Sequence, residues 1–166
     1  MHRHRLMPLI LGTLLVLLLA PAPLFADATA FIGAHVNPER QVMRGLAGGV
    51  TMVVVGFEGE YAHAGEDESA GVPSLITFSG NVFLQTPVPI FGTRFYVTTG
   101  TGVYREEVDA LDHQETNMVF NTGGGAKITL AGPLRLRLDY RVLKLRGDTL
   151  RPSVVNRVYA GLNLSF

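Results

Sequence analysis

The chain has no cysteine among its 166 residues. This absence excludes disulfide bonds, thiolate metal sites and a cysteine nucleophile. The chain also lacks net charge, with 14 basic and 14 acidic residues, so the electrostatic attraction that nucleic-acid binding requires is missing. After residue 26 no apolar stretch is long and uninterrupted enough for a membrane-spanning helix, which needs about 20 residues. If the rest of the chain lies in a membrane, it must form a closed barrel, because only helices and closed barrels satisfy their backbone polar groups in lipid.

The N-terminus has the features of a secretory signal peptide. A basic start at His2–Arg5 precedes a short, mostly apolar run, and small residues follow up to Ala26. We therefore predict a cleaved signal peptide over residues 1–26 and one mature domain over residues 27–166. Cleavage after Ala28 and an uncleaved membrane anchor are the alternatives.

The segment Leu134–Val142, L-R-L-R-L-D-Y-R-V, has the pattern of a β-strand with two unlike faces. Successive side chains of a strand point to opposite faces, so the apolar residues and Tyr140 share one face. The other face carries Arg135, Arg137, Asp139 and Arg141. A soluble sheet allows this alternation. In a transmembrane barrel it is expected, since the apolar face meets lipid and the polar face lines the lumen.

Eight segments of the mature chain have strand character. The predicted strands cover residues 28–36, 44–51, 53–64, 73–85, 94–104, 117–129, 134–142 and 155–166. The second and third strands divide one continuous segment near residues 51–53, because a membrane strand has only roughly 9–11 residues. The first, third, fifth and seventh connections are longer or more charged than most of the others, as in barrels with long external loops and short internal turns. The sequence predicts an all-β fold, an eight-stranded antiparallel up-and-down transmembrane β-barrel.

The last predicted strand is amphipathic and ends on an aromatic residue. Its apolar face consists of Val158, Ala160, Leu162, Leu164 and the final residue, Phe166. Such a strand resembles the sorting signal that bacterial outer-membrane proteins present to their barrel-assembly machinery. The whole mature chain resembles the small outer-membrane β-barrel family of the OmpA, OmpX and OmpW types. The segments that carry this likeness are G-N-V at 80–82, F-Y-V-T-T-G-T-G-V-Y at 95–104, N-T-G-G-G-A-K at 121–127 and L-R-L-D-Y-R at 136–141.

This resemblance implies a cellular location and partners. The protein would be exported to the outer membrane of a Gram-negative cell envelope and assembled there by the barrel-assembly machinery. Its partners would then be outer-membrane lipid and lipopolysaccharide, and we expect a monomer. The peptidoglycan-binding second domain of full-length OmpA has no counterpart in this sequence.

Charged residues on the polar faces of the predicted strands would line the lumen. They comprise six bases and three acids: Glu58, Glu60, Arg94, Lys127, Arg135, Arg137, Asp139, Arg141 and Arg157. Buried charges persist only when they are paired and hydrogen-bonded, so we predict a salt-bridged lumen that closes and rigidifies the barrel. The alternative is transport, either through a narrow pore whose excess of bases favours anions or as a passage for hydrophobic small molecules.

No residue set in the sequence indicates catalysis, a cofactor or a bound metal. The histidines His35, His63 and His113 lack metal-ligand spacing. Some small barrels are lipid A-modifying enzymes that use Ser, His and an acid on the outer face. Here His63, Glu66 and Ser69 are close in sequence, but spacing within one loop does not position them. We therefore predict a non-enzymatic structural protein that presents polar loops at the cell surface. A soluble periplasmic lipocalin-like binding barrel is the alternative fold.

The run Gly123–Gly125 lacks the helix and the Lys-Ser/Thr ending of a phosphate-binding loop. We interpret these small residues as space for Tyr or Arg side chains inside a narrow barrel.

Overall fold

The structure, a computed structural model, describes residues 24–37, 40–66, 71–108, 113–147 and 152–166, without the side chains of residues 108 and 113–115. Its strands are β1 Leu24–Asn37, β2 Gln41–Met52, β3 Val55–Ala64, β4 Ser74–Gln85, β5 Thr93–Val108, β6 His113–Ala131, β7 Leu134–Leu145 and β8 Val154–Ser165. Each strand pairs with its neighbours in the chain, and β1 pairs antiparallel with β8, which closes the sheet into a barrel. The predicted eight-stranded antiparallel barrel is confirmed. Among the described residues, no helix has the length and hydrophobicity of a membrane span.

The alternating side chains divide this barrel into an apolar outside and a polar inside. Large apolar residues such as Ile32, Leu46 and Phe78 are more than half exposed on the outer surface. The buried residues include arginines, acids, threonines and asparagines that face inward. This distribution is the reverse of a soluble protein, in which exposed apolar patches stay small. It contradicts the soluble lipocalin-like alternative, because that fold requires the apolar faces inside.

The two ends of the barrel differ. At one end, which we call the short-turn end, strands are connected by residues 53–54, 86–92 and 132–133. The first and last described residues, Leu24 and Phe166, also lie at this end. The opposite end, which we call the long-loop end, holds the connections around residues 38–40, 65–73, 109–112 and 146–153. The turn predicted near 51–53 lies at Val53–Val54. Val53 has a positive φ of 39°, a conformation that Gly or Asn usually adopts in such turns.

Strands β5 and β6 are longer than the sequence analysis predicts. The segment 105–115 was expected to be a charged loop, but it is strand up to Val108 and again from His113. The alternation continues through it, since Arg105 is exposed outside while Glu106 is completely buried inside. A high content of charged residues therefore does not by itself indicate a loop, because a strand of this barrel can carry charged side chains on either face.

Strand β1 also begins earlier than predicted. Leu24, Phe25 and Ala26 pair with β2, and the backbone of Ala26 exchanges two hydrogen bonds of 2.8 and 2.9 Å with Phe166. These three residues belong to the segment predicted as a signal peptide, and the rest of that segment up to residue 23 lies outside the described residues. The signal peptide and its cleavage site remain predictions.

Candidate functional site: the charged interior

Seven of the nine predicted lumen charges lie inside the barrel and are at most 5% exposed. They are Glu58, Glu60, Lys127, Arg137, Asp139, Arg141 and Arg157. Strand parity positions them, because each stands at an inward-facing position between outward-facing neighbours that are uncharged. The other two, Arg94 and Arg135, are only partly buried.

Arg137 lies at the centre of the interior charges. Its guanidinium donates two hydrogen bonds to the Glu58 carboxylate, through Nη1 to Oε2 and through Nη2 to Oε1, the latter at 3.1 Å. Nη2 also lies 3.3 Å from Oδ2 of Asp139. A two-pronged guanidinium–carboxylate contact fixes orientation as well as charge, so this pair ties β7 to β3.

Arg141 contacts three carboxylates. Its Nη2 lies 3.0 Å from Oε1 of Glu58 and 3.1 Å from Oε2 of Glu60, and its Nε lies 2.9 Å from Oδ1 of Asp139. Glu60 in turn forms an ion pair with Arg157 of β8. Because β3 and β7 lie on opposite sides of the eight-stranded ring, the pairs from β7 to β3 cross the lumen.

A further ion pair involves Asp27, which the sequence analysis did not include. Lys127 Nζ lies 2.7 Å from Oδ2 of Asp27, and both side chains are almost fully buried. Among the described residues, the ion pairs inside the barrel thus join four bases with four acids. The predicted excess of basic residues does not extend to this paired set. Asp27 was overlooked because it falls at the predicted cleavage site, outside the predicted first strand.

Two tyrosines and an asparagine extend the ion pairs into one connected network. Tyr96 donates a hydrogen bond to Asp139 and accepts one of 2.8 Å from Arg137 Nε. Tyr159 donates to Glu60 at 3.2 Å. Asn163 donates to Asp27 at 3.2 Å and to Thr29 at 2.9 Å, and Thr29 also accepts from Arg137 at 3.5 Å.

Aromatic rings fill the space beside these charges. The rings of Phe31 and Tyr159 stack with centroids 4.1 Å apart, and the guanidinium of Arg137 lies 5.0 Å from the Tyr96 ring centroid. Strand parity alone could have indicated the inward position of Tyr96, since Phe95 and Val97 on either side of it face outward. We use the name interior network for the four ion-paired bases, the four acids, and Tyr96, Tyr159, Thr29 and Asn163.

The glycines of β6 leave room for the interior network. A Cβ atom at Gly125 would lie 2.7 Å from the Tyr96 hydroxyl, and one at Gly123 would lie 3.0 Å from Cγ of Arg141. The backbone oxygens of Leu138 and Tyr140 would lie only 2.0 and 2.1 Å from these two Cβ atoms. Because such distances are too short for real contacts, these inward positions require glycine.

Arg94 and Arg135 belong to the short-turn mouth of the barrel. Their inward parity matches the prediction, but no ion pair to either residue is found within the described part of the chain. Arg135 is close enough to Arg94 and Asp27 to interact with both electrostatically. These two cations therefore border the interior network at its short-turn end.

The structure describes only some of the residues considered for catalysis or metal binding. His35 is buried inside near Gln41, with 3.3 Å between Nδ1 and Oε1. His63 is on the outer face of β3, whereas Ser69 and the side chain of His113 lie outside the described residues. Among the residues that are described, no group of three or more His, Asp or Glu side chains is arranged to hold a metal ion.

The residues of the predicted assembly signal all lie on the outer face of β8 or at its end. They are Val158, Ala160, Leu162, Leu164 and Phe166, and the Phe166 side chain is 74% exposed. This surface is accessible, but recognition by an assembly machinery remains a prediction.

Comparison with known proteins identifies the fold. No protein-family model matches the sequence, and no curated protein matches it. Solved structures do match. Neisserial surface protein A superimposes with a TM-score of 0.66 and 13% identity over 86% of this chain and 96% of that chain. The N-terminal β-barrel domain of OprF from Pseudomonas aeruginosa superimposes with a TM-score of 0.64 and 14% identity, over 86% of this chain and 97% of that chain.

A third similar structure is described as the outer membrane enzyme PagL, with a TM-score of 0.53 and 13% identity over 83% of this chain and 98% of that chain. At these identities the likeness concerns the fold. Together with the apolar outer surface, it shows that the chain folds as a small eight-stranded transmembrane β-barrel of the outer-membrane type.

Proposed function

We propose that this protein is an integral outer-membrane scaffold whose lumen is closed by the interior network and whose loops are presented at the cell surface. The long-loop end then faces the cell exterior and the short-turn end faces the periplasm, as in other barrels with this asymmetry. Outer-membrane lipid and lipopolysaccharide surround the barrel, the barrel-assembly machinery inserts it, and it acts as a monomer.

The observation that carries this proposal is the balance of charge across the lumen. Four bases meet four acids at hydrogen-bonding distance, and the pairs between β7 and β3 join strands on opposite sides of the barrel. An ion that entered would have to separate pairs that are removed from water, and breaking a buried pair costs roughly 3–5 kcal/mol. An eight-stranded barrel encloses only enough space for its own side chains, which supports a closed state.

Single-channel recording tests this proposal. The refolded protein is placed in a planar lipid bilayer after its folding has been verified by the faster gel migration of the unheated barrel. A closed scaffold gives no steady current at any applied voltage. A steady current from the folded protein would refute the proposal.

Transport is the second candidate, and Arg141 is the observation that favours it. Because its guanidinium lies near three carboxylates, it can exchange partners without losing all of its contacts, and such an exchange would open a path along the barrel wall. Arg94 and Arg135 at the short-turn mouth would then favour anions. A current with higher chloride than potassium permeability, abolished in Arg94→Gln/Arg135→Gln, would support this alternative.

We also propose that the protein has no enzymatic activity, although it shares its fold with PagL. Of the three residues considered for catalysis, His63 faces outward on β3, and its direct cross-strand partners, Arg44 and Ile76, are neither the acid nor the hydroxyl that such a site needs beside its histidine. Incubation of the folded barrel with lipid A in detergent, followed by mass spectrometry of the lipid, tests this. An unchanged lipid mass is expected, and loss of an acyl chain would contradict the proposal.

A further inference from the structure

The charged side chains that the described strands place on the outer surface lie at one end of the barrel. Among the described strand residues, those facing outward are Arg44, His63, Arg105, Glu107 and Lys144, and all lie toward the long-loop end. The other outward-facing residues of the described strands, down to the short-turn end, are uncharged. A charge in contact with hydrocarbon is costly, so these residues mark the level at which the surroundings of the barrel become polar.

Two of these residues stand side by side. Arg44 of β2 and His63 of β3 are direct cross-strand partners, so both side chains leave the same small area of the outer wall. In the described part of the chain, neither forms an ion pair. A guanidinium provides only donors, and an imidazole provides at least one. The pair therefore presents several N–H groups to its surroundings.

Apolar hollows flank this pair on two sides. One, of about 310 Å³, is lined by Ile32, Val42, Met43 and Gly65 in addition to Arg44 and His63. The other, of about 330 Å³, is lined by Gly45, Leu46 and Tyr61 in addition to the same two residues. No acidic side chain occurs among the described residues that line either hollow. A ligand that fits has an anionic group at the centre and apolar parts on its flanks.

The depth of the pair in the membrane agrees with this description. Between Met52 and Arg44, strand β2 rises by roughly 20 Å, at about 3.4 Å per residue and a tilt near 40°. The apolar band of such barrels is roughly 25 Å tall. Arg44 and His63 thus lie near the upper boundary of the hydrocarbon, where lipid phosphates begin.

We propose that Arg44 and His63 form a binding site for the phosphate of a lipid headgroup in the leaflet at the long-loop end, with the acyl chains of that lipid against the flanking hollows. In a Gram-negative outer membrane this lipid is a phosphorylated glycolipid. The inference rests on the proposed membrane location and orientation, and it names the residues through which the barrel contacts lipopolysaccharide. Arg supplies a planar pair of donors that matches two phosphate oxygens, and His63 adds a third donor beside them.

Native mass spectrometry of the intact barrel in neutral detergent tests the site with diphosphoryl lipid A as the probe. Arg44→Gln and His63→Gln are compared with Lys144→Gln, which removes an outward charge near the same end on the opposite side of the barrel. We expect Arg44→Gln to weaken lipid A binding by about tenfold or more, the scale of a lost charged hydrogen bond, His63→Gln to weaken it less, and Lys144→Gln to change it less than twofold. Equal losses in Arg44→Gln and Lys144→Gln, or no loss in either, would overturn the site.

A second arm identifies the source of the phosphate. Inorganic pyrophosphate should bind at least tenfold more weakly than lipid A, because it leaves both hollows empty. If it binds equally well, the site recognises a soluble anion and the proposal is wrong. Each variant is first tested for insertion into phosphatidylcholine vesicles. Failure of the wild-type chain to insert would refute the proposed membrane location, whereas normal insertion with unselective lipid A binding would refute only this site.

Discussion

At the scale of single residues, a buried charge depends entirely on its partners. Arg137 has lost its contact with water and regains favourable interactions from its neighbours, chiefly Glu58, Asp139 and Tyr96. Replacing such a group removes its attraction and also leaves the remaining charges uncompensated.

We therefore expect Arg137→Met and Glu58→Gln each to lower the free energy of unfolding by about 3–5 kcal/mol. Urea unfolding of the barrel in lipid vesicles, followed by circular dichroism, measures the change. Arg94→Met is the matched control, because Arg94 is partly exposed at the mouth and should change stability by less than about 1 kcal/mol. If Arg137→Met unfolds at the same urea concentration as Arg94→Met, the interior pairs do not stabilise the barrel.

At the scale of the strand, β6 is shaped by what its neighbours place inside the barrel. Gly125 pairs with Tyr96 on one side and with Asp139 on the other, and the ring and hydroxyl of Tyr96 occupy the space where a side chain of residue 125 would be.

Gly125→Ala should accordingly destabilise the barrel by about 1–3 kcal/mol, the usual cost of an overpacked site. Gly80→Ala on β4 is the control, because nothing lies within 4 Å of a Cβ atom built at that position, and alanine there should be neutral or slightly stabilising. The thermal midpoint of the shift in gel mobility compares the two variants. Equal midpoints would mean that Tyr96 moves aside at no cost.

The terminal strand β8 permits a test of biogenesis. Deletion of Phe166 removes the exposed aromatic ring and the backbone hydrogen bonds with Ala26. We expect assembly into proteoliposomes containing the barrel-assembly machinery to slow several-fold. Spontaneous refolding into thin lipid vesicles should change much less.

Phe95→Ala is the comparison for that deletion, since it also removes an exposed, outward-facing phenyl ring, but from β5 and not from the end of the chain. If both variants assemble at the wild-type rate, the carboxy-terminal signal has been misidentified.

At the scale of the whole molecule, a closed lumen and a water-filled lumen respond differently to salt. Ions screen charges over about 3 Å at 1 M ionic strength, but only where water and ions have access. The interior network is nearly inaccessible, with the side chains of its ion-paired residues at most 5% exposed.

The free energy of unfolding should therefore change by less than about 0.5 kcal/mol between 0.05 and 1 M sodium chloride, when specific salt effects are corrected with a second chloride salt. Urea titrations in vesicles at the two concentrations measure it. A marked loss of stability in high salt would show that ions reach the pairs, and it would favour the pore over the scaffold.

The sequence by itself determined the architecture, because the alternation of apolar and polar residues with a period of two depends only on neighbouring residues in one strand. Alternation in Leu134–Leu145 and Val154–Ser165 specifies which side chains share a face, and the number of such segments predicts the closed barrel. The same parity was enough to assign Glu58 and Arg141 to the inside.

Only the tertiary structure decided which charges meet. Asp27 and Lys127 are 100 residues apart, and their contact depends on the closure of β1 against β8 and on the stagger of the strands around the barrel. Strand parity predicts which face a side chain lies on but not how far it lies from the end of the barrel. It therefore could not distinguish the ion-paired Arg137 from Arg94 and Arg135, which lie at the short-turn end. The balance of four bases with four acids is thus a property of the closed barrel, since it depends on register between strands that are distant in the chain.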